Sequence, residues 1–521
     1  MFVYRNVNLA THGKLEDGTH FAAGAQVQTL TQSESRGVMM DATTKQQVAV
    51  RGALTCAPAP LRIPFAGVPA FARGLQFDDL PADVVAQAQR CLLDLIGVAA
   101  AGSRAPATAI VNAYASSQLV GRDRNARILF DGRQAGLAGA TFAGATMIDA
   151  FDAHDGHVLT KGHAGVAVLP ALLAYLDGGV CPPGRANGRE FLTCIVLGYE
   201  IATRAGIALH ATVPDYHCSG SWSALACAAL GGRWLGFDDQ RIRHALGIAE
   251  YFGPRGQMLR VCDYPTMLKD GSGWGAQVGV SAALLAADGF TGAPALTVER
   301  DDALGFWNDL GGRWRIREQY FKPYPVCRWA QPATEAVLAL QRTHAFDAAD
   351  VVAIDITSFS EAIALGSQCR YPATSDEAQY SLPFPVAAAL VHGSVGAAEI
   401  DGAALADPRV VRLIDAMSLT VDAEFSRLFP AERWARACIT LRDGRRLVSE
   451  PAQPRGNPEN PLVEDELRAK YRELSEPVLG QPRSARIATL VDALVEDDAA
   501  LSALVDELLT SHATAPHSGM N

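Results

Sequence analysis

A helical spacing of apolar residues dominates the chain between about residues 80 and 290. Pro81 suits the first turn of a helix, apolar side chains then recur on one face, and Gly102 offers a stop. Many later segments are apolar on all sides and rich in Ala and Gly, which is typical of helices buried in a large bundle. These segments span residues 107–120, 135–150, 166–176, 190–209, 221–235, 240–252 and 275–287.

The pattern changes after about residue 306. Residues 350–359 alternate between apolar and polar, which predicts a strand, and residues 436–441 and 445–449 flank Asp443-Gly444, a strong hairpin signal. Helical spacing returns at 462–474 and 485–509, with a break near Asp497. We therefore predict a mainly α protein, with a large all-helical domain at 61–312 and a smaller α+β domain at 313–455. Residues 456–521 are predicted to pack back on the helical domain as C-terminal helices.

Residues 1–60 show no sustained helical period and are rich in Thr, Gln, Gly and Val. Several prolines follow, which is typical of a linker. We predict that residues 1–60 form a weakly ordered N-terminal extension without a catalytic part.

Composition and charge narrow the class of protein. The 521 residues are 49% hydrophobic and 19% charged, which is typical of a globular chain, and the net charge of −11 argues against nucleic-acid binding. The ten cysteines include no C-x-x-C pair, so a thiolate metal site is not indicated. Neither a signal peptide nor a membrane-spanning apolar run is apparent, so we expect a cytoplasmic protein with reduced thiols and no membrane contact.

The densest group of titratable residues lies in the stretch DAFDAHDGHVLTKGHAGVAVLP, residues 149–170. If residues 151–163 form a loop, Asp152, Asp155, His157 and His163 can converge on one cavity. An imidazole beside carboxylates is a candidate general acid or base near neutral pH. The same residue types can bind a metal or serve as structural caps and turns, so these readings stay open.

Three later segments add groups of complementary chemistry. Tyr216 and His217 precede Ser219 at the start of an Ala-rich helix, whose N-terminus favours an anion, although His217 can also serve only to satisfy a buried carbonyl. Further along the chain, Pro and Gly breaks surround cationic side chains, which pair with carboxylates or act as tunable bases. These cations are Arg255, Lys269, Lys322 and Arg328.

Five ordered motifs resemble the MmgE/PrpD family over roughly residues 70–510. They are DAFDAHDGH followed by KGHAGVAVLP, then DYHCSGSWSALACAAL, MLKDGSGWG, YFKPYPVCRWAQPATEA and AQYSLPFPVAAAL. The family includes 2-methylcitrate dehydratase, cis-aconitate decarboxylase and iminodisuccinate epimerase. The resemblance implies a homodimer with a cofactor-independent active site between its two domains, to which we assign no metal ligands. By position, it implies active-site roles for Asp152, His163, His217, Lys269 and Lys322.

Some positions depart from the family pattern. Gly156 stands where the family often has Thr, Lys161 is unusual, and Phe384 stands where the family has Tyr. Each change removes or alters a hydrogen-bonding group, so Tyr216 gains weight as an alternative acid or base.

The first hypothesis is a hydro-lyase that acts on a hydroxylated di- or tricarboxylate. His163, oriented by Asp152, and His217 are the expected acid/base pair, while Lys269 stabilises developing charge. The expected carboxylate-binding residues are Arg255, Lys322 and Arg328, with Asp155 and His157 as secondary contacts. The alternatives are an epimerase that uses Tyr216/His217 and Lys269 as opposed bases, a metal-dependent enzyme that uses the Asp/His stretch, and a carboxylate-binding protein without turnover.

Overall fold

The computed structural model describes residues 67–512, apart from the side chain of Ser367. The predicted N-terminal extension, residues 1–60, therefore lies outside the described residues.

Twenty α-helices account for most of the described chain. The first ten are α1 Gly67–Gly74, α2 Ala82–Gly102, α3 Pro106–Gln118, α4 Leu137–Asp149, α5 Gly165–Asp177, α6 Gly188–Thr212, α7 Gly220–Trp234, α8 Asp239–Phe252, α9 Leu259–Asp263 and α10 Ser272–Ala287. The second ten are α11 Leu296–Glu299, α12 Gln331–His344, α13 Ser360–Gln368, α14 Ser375–Gln379, α15 Pro383–His392, α16 Pro408–Asp415, α17 Ala423–Leu428, α18 Glu464–Leu479, α19 Gln481–Ala493 and α20 Ala500–Leu509.

Helix α7 lies at the centre of the helical part, in contact with α5, α6, α8 and α10. Its residues are buried along its whole length, as expected from a segment that is apolar on all sides. A Cβ atom built on Gly275 of α10 would lie 2.3 Å from the carbonyl oxygen of Gly220 in α7. Glycine is therefore required where these two helices cross, and this explains the abundance of small residues in the sequence.

The described residues form eight β-strands, which are short and concentrated in the C-terminal half. They are β1 Asn125–Arg127, β2 Gln134–Gly136, β3 Gly156–His157, β4 Gln319–Tyr320, β5 Val351–Ser358, β6 Met417–Val421, β7 Ala435–Leu441 and β8 Arg446–Val448. The last four form one sheet in the order β6-β5-β7-β8, in which β5 is parallel to β6 and antiparallel to β7. Strands β7 and β8 form the hairpin predicted around Asp443-Gly444. The fold class, mainly α with a smaller α+β part, is confirmed.

Two helices have the length and apolar composition of a membrane span, which the sequence reading did not anticipate. They are α2 and α6, whose most apolar stretches are 72% and 100% buried inside the protein. Helix α18 covers α2 from the C-terminal end of the chain. Both helices are therefore accounted for as core helices. The domain limits and the cytoplasmic location stay predictions.

The antiparallel pair of β3 and β4 joins two distant parts of the chain that both carry predicted site residues. Gly156 pairs with Tyr320, and His157 pairs with Gln319. The pairing holds the Asp/His stretch beside the segment that carries Lys322 and Arg328. As predicted, residues 151–163 are largely loop and turn.

Candidate active site

A small, partly enclosed cavity lies where the Asp/His stretch, the start of α7 and the segment after β4 meet. Its volume is about 30 Å³, which is room for one or two water molecules. We call it the cationic cavity, because its charged lining comprises Lys161, Lys322, Arg328, Arg433, Asp152 and Asp270, with His163 beside them. A tricarboxylate can enter only if part of this lining moves.

His163 is held in one orientation by backbone groups. The imidazole Nδ1 lies 2.5 Å from the carbonyl oxygen of Asp155, and the backbone N–H of His163 donates to Ser219 Oγ at 2.9 Å. Because a carbonyl only accepts, Nδ1 carries the proton and Nε2 presents a lone pair. Burial, and then the charge of Lys322, lower the pKa of His163 to about 3, so the ring is neutral. The carbonyl of Asp155, rather than the expected carboxylate of Asp152, therefore fixes this ring.

Asp152 forms a buried ion pair with Lys322. The ammonium group donates to the Asp152 carboxylate and, at 3.2 Å, to the Asp152 carbonyl oxygen. Burial by itself would raise the pKa of Asp152, but the charge and hydrogen bond of Lys322 hold it below its ordinary value. Burial by itself would lower the pKa of Lys322, but the negative charge of Asp152 outweighs it and raises the pKa above its ordinary value. Both groups are thus charged at neutral pH.

Asp270 is a cavity residue that the sequence reading did not single out. Its Oδ1 accepts the Ser219 N–H at 2.9 Å, its Oδ2 bonds the Ser219 hydroxyl, and Oδ2 lies 4.0 Å from His163 Nε2. Burial, and then the nearby carboxyl of Asp149, raise the pKa of Asp270 well above its ordinary value. It is therefore a carboxyl group that holds its proton more firmly than usual, beside a neutral imidazole. Its position directly after Lys269, a predicted site residue, is the feature of the sequence that could have identified it.

Tyr216, one of the predicted site residues, lines the cavity. Its hydroxyl donates to the carbonyl oxygen of Lys161, and the Lys161 ammonium lies 4.3 Å from the centre of the Tyr216 ring. Lys161 adopts a positive φ of 51°, which is uncommon for a residue with a side chain. Burial raises the pKa of Tyr216 well above its usual range, so the phenol is a proton donor rather than a ready base.

Three predicted site residues from the middle of the chain do not line the cationic cavity. Lys269 is buried, with Nζ 2.7 Å from Asp376 Oδ1. His217 is half-buried, and its backbone N–H donates to His210 Nε2 at 3.3 Å. Arg255 is exposed, close enough to His217 to help burial lower the pKa of that imidazole.

Two predicted site residues from the Asp/His stretch have side chains that lie outside the cationic cavity. The Asp155 carboxylate accepts the Tyr199 hydroxyl at 2.6 Å, and burial raises its pKa to about 7. His157 lies 3.0 Å from Glu318 through Nε2. Both side chains are buried outside the cavity lining, although the Asp155 backbone contacts His163.

Arg328, one of the predicted site residues, lines the cavity, and Arg433 joins it from the segment just before β7. Both guanidinium groups are 3% exposed. Burial lowers the pKa of Arg328 to about 9, which leaves it charged at neutral pH. Arg433 was not predicted from the sequence because FPAERWARAC contains two arginines, Arg433 and Arg436, and the local pattern does not distinguish them.

The group most suited to a metal is Asp152, His154 and His163, whose candidate ligand atoms lie within 4.8 Å of one another. Neither ring nitrogen of the buried His154 has a hydrogen-bond partner in the structure. However, the Lys322 ammonium already occupies the Asp152 carboxylate and would repel a cation there. The three residues can approach a metal ion, but this charge arrangement fits an anion better.

Comparison with known proteins adds independent information. Residues 68–318 match the MmgE/PrpD N-terminal domain, and residues 324–496 match the MmgE/PrpD C-terminal domain. The cis-aconitate decarboxylase-like protein oryM of Aspergillus oryzae is 26% identical over 475 residues, which cover 84% of this chain and 94% of that protein. Cis-aconitate decarboxylase of Aspergillus terreus is 25% identical over 454 residues, which cover 81% of this chain and 91% of that protein.

Proposed function

We propose, from the premise that this chain belongs to the MmgE/PrpD family, that it is a lyase acting on a tricarboxylate. The reaction that we favour is the loss of CO₂ from an unsaturated tricarboxylate such as cis-aconitate. The names of the similar Aspergillus proteins support this choice over most of the length of the chain.

The cationic cavity is the single observation that carries the proposal. Four cations line it, and Asp152 is the ionised carboxylate among its charged residues. The excess of cations over carboxyl groups in this buried space suits a polyanion, because charges are poorly screened there. The neutral imidazole of His163 and the carboxyl of Asp270, whose pKa is raised, lie beside these cations, where a proton can be moved.

The lining can support each step of a decarboxylation. The carbon–carboxylate bond breaks, CO₂ leaves, and the electron pair stays on the substrate, delocalised into the adjacent double bond. Lys322 and the arginines stabilise this negative charge. A proton then replaces the lost CO₂ on the substrate carbon, delivered by His163 Nε2 or by the Asp270 carboxyl. A bound polyanion offsets the charge of Lys322, so it raises the pKa of His163 and prepares the imidazole to carry that proton.

Loss of water from a hydroxylated tricarboxylate is the second candidate. The observation that favours it is the Asp270 carboxyl, whose pKa is raised by burial, since an acid of this kind can protonate a departing hydroxyl. In that case His163 Nε2 removes the proton from the carbon next to a carboxylate. The same residues act in both reactions, and only the leaving group differs: CO₂ in the decarboxylation and water in the dehydration.

A mass-spectrometric assay in deuterated water separates the candidates. Purified enzyme is incubated with cis-aconitate, citrate or an aminodicarboxylate. Loss of CO₂ with uptake of one deuteron supports the decarboxylase, and loss of water supports the hydro-lyase. Deuterium exchange at constant mass supports the epimerase instead. Activity lost on chelation and restored by one equivalent of metal would move the assignment to the metal-dependent alternative.

His163→Asn links the activity to the cavity. We expect kcat to fall at least about 100-fold, because a positioned proton carrier contributes that much or more. The melting temperature should stay nearly unchanged. His344→Asn is the matched control, since His344 is exposed in the last turn of α12. Full activity of a folded His163→Asn variant would contradict the assignment.

A further inference from the structure

Two of the five buried arginines among the described residues lack a carboxylate partner. Arg204, Arg233 and Arg315 pair with acids, namely Glu200 and Asp309, Glu190, and Glu318 with Asp309. No such ion pair is formed by Arg328 or Arg433 in the part of the chain that the structure describes. These two are the buried arginines that line the cationic cavity.

The remaining contacts of Arg328 hold its plane in place without neutralising it. Nη1 donates to Gln331 Oε1 at 2.5 Å, Nη2 donates to Asn457 Oδ1 at 2.7 Å, and the guanidinium lies 4.5 Å from the centre of the Tyr320 ring. Its Nε is buried without a partner. The group is thus rigidly presented, with unused donor capacity.

Arg433 is even less satisfied. Its Nη2 donates to the carbonyl oxygen of Val158 at 3.3 Å, and its Nε is buried without a partner. A guanidinium has five N–H donors, so most of its capacity is unused. A buried cation in this condition costs stability unless an anion binds it.

We propose that Arg433 and Arg328 form a carboxylate-binding subsite for a substrate carboxylate that does not react. This inference rests on the proposed function and adds a specificity determinant to it. The planar donors of two guanidinium groups match the two oxygens of a carboxylate. Lys322 and Lys161 remain for the other carboxylates, so the subsite selects tricarboxylates over dicarboxylates.

Binding of unreactive probes tests the subsite without requiring turnover. The probes are propane-1,2,3-tricarboxylate and glutarate, which has the same five-carbon chain without the central carboxylate. We expect the intact enzyme to bind the tricarboxylate at least about 10-fold more tightly than glutarate in isothermal titration calorimetry. Equal affinity of the intact enzyme for the two probes would overturn the proposal.

Arg433→Gln identifies the residue responsible. We expect its affinity for the tricarboxylate to fall roughly 10- to 100-fold, with less than about a threefold change for glutarate. Arg436→Gln is the matched control, because Arg436 is exposed on the neighbouring strand β7 and should change neither affinity. An unchanged tricarboxylate affinity in folded Arg433→Gln, or an equal loss for both probes, would overturn the subsite.

A second variant and a comparison of binding with turnover allow the proposal to be tested even if Arg433→Gln does not fold or the enzyme shows no activity. If Arg433→Gln does not fold, Arg433→Lys replaces it: retained charge without the bidentate fork should still reduce the preference for the tricarboxylate, and an undiminished preference counts against the subsite. If the intact enzyme prefers the tricarboxylate but turns over no member of the substrate panel, the lyase proposal fails while the subsite stands.

Discussion

Gly156 shows how one missing side chain shapes the site. A Cβ atom built at this position would lie 2.6 Å from the Tyr320 hydroxyl oxygen and 2.7 Å from His163 Nδ1. Both distances are shorter than van der Waals contact, so no side chain fits without moving one ring. The Thr that the family often has here is therefore incompatible with this placement of Tyr320.

We predict that Gly156→Ala lowers kcat at least about 10-fold, because displacement of His163 by even a fraction of an ångström misaligns proton transfer. Steady-state kinetics and circular dichroism give the measurement. Gly305→Ala is the control, since a Cβ there meets nothing within 4 Å. Wild-type kinetics in Gly156→Ala would mean that Tyr320 yields freely.

The Asp155 carboxyl gives the fold a pH dependence. Its pKa rises from 3.8 to about 7 on folding, chiefly through burial and then through the charge of Asp94. A raised carboxyl pKa contributes stability that is fully present below about pH 4 and is lost as the pH rises through about 7. The contribution of Asp155 to the stability of the native protein should therefore be smaller at pH 8 than at pH 5.

Asp155→Asn should remove this contribution, so that the change in melting temperature from pH 5 to pH 8 is more favourable in the variant than in the native protein. The amide oxygen can still accept the Tyr199 hydroxyl, and the backbone carbonyl that holds His163 is unchanged. Asp149 and Glu200, with pKa values raised by burial to about 6 and about 7, titrate in both proteins and cancel in the comparison. An identical pH profile for variant and native protein would show that Asp155 does not titrate in this range.

Helices α7 and α10 connect packing to chemistry at the scale of elements. Ser219 directly precedes α7, and Asp270 lies two residues before α10 begins at Ser272. The helices cross at Gly220 and Gly275, close to these ends. The spacing of the two axes therefore fixes the distance between Asp270 and His163.

We predict that Gly275→Ala lowers the free energy of unfolding by about 1–3 kcal/mol, because its Cβ would overlap the backbone of Gly220. Chemical denaturation measures this change, and kcat should fall with it as Asp270 is displaced. Gly184→Ala is the control, since its surroundings are open. A variant as stable as the native protein would show that the helices can separate at little cost.

At the scale of the whole molecule, an exposed apolar groove of about 730 Å³ runs between α3, α4 and the start of α10. Ile110, Leu268 and Trp274 in its lining are 59%, 67% and 54% exposed. Monomeric proteins rarely expose a contiguous apolar surface of this kind. We expect the second copy of the predicted homodimer to cover it, and the dimer itself remains a prediction.

Trp274→Glu should convert the predicted dimer to a monomer, because a buried carboxylate without a partner opposes association. Sedimentation equilibrium measures the mass. Val448→Glu places the same charge on an exposed residue of β8, remote in sequence from the groove, and should leave the dimer intact. A monomeric native protein, or an unaffected Trp274→Glu dimer, would contradict this surface as the interface.

The fold was predictable where its signal is local. The period of 3.6 residues predicts α2, α4 and α5, and Asp443-Gly444 predicts the β7–β8 hairpin. Turns and hydrophobic faces depend on neighbouring residues, so a single sequence contains them. The β3–β4 pair was not foreseen, because two-residue strands some 160 positions apart leave no local pattern.

The sequence by itself determined which residue types meet: an Asp/His stretch, cations after residue 320, and small residues that let helices approach. Only the tertiary structure decided their pairing. It joined Lys322 to Asp152, added Asp270 and Arg433 to the cavity, and left His217 and Arg255 outside. The physical reason is that burial and ion pairing depend on distances between remote segments. The type of a residue shows that its side chain can ionise, but its surroundings in the fold decide whether it does.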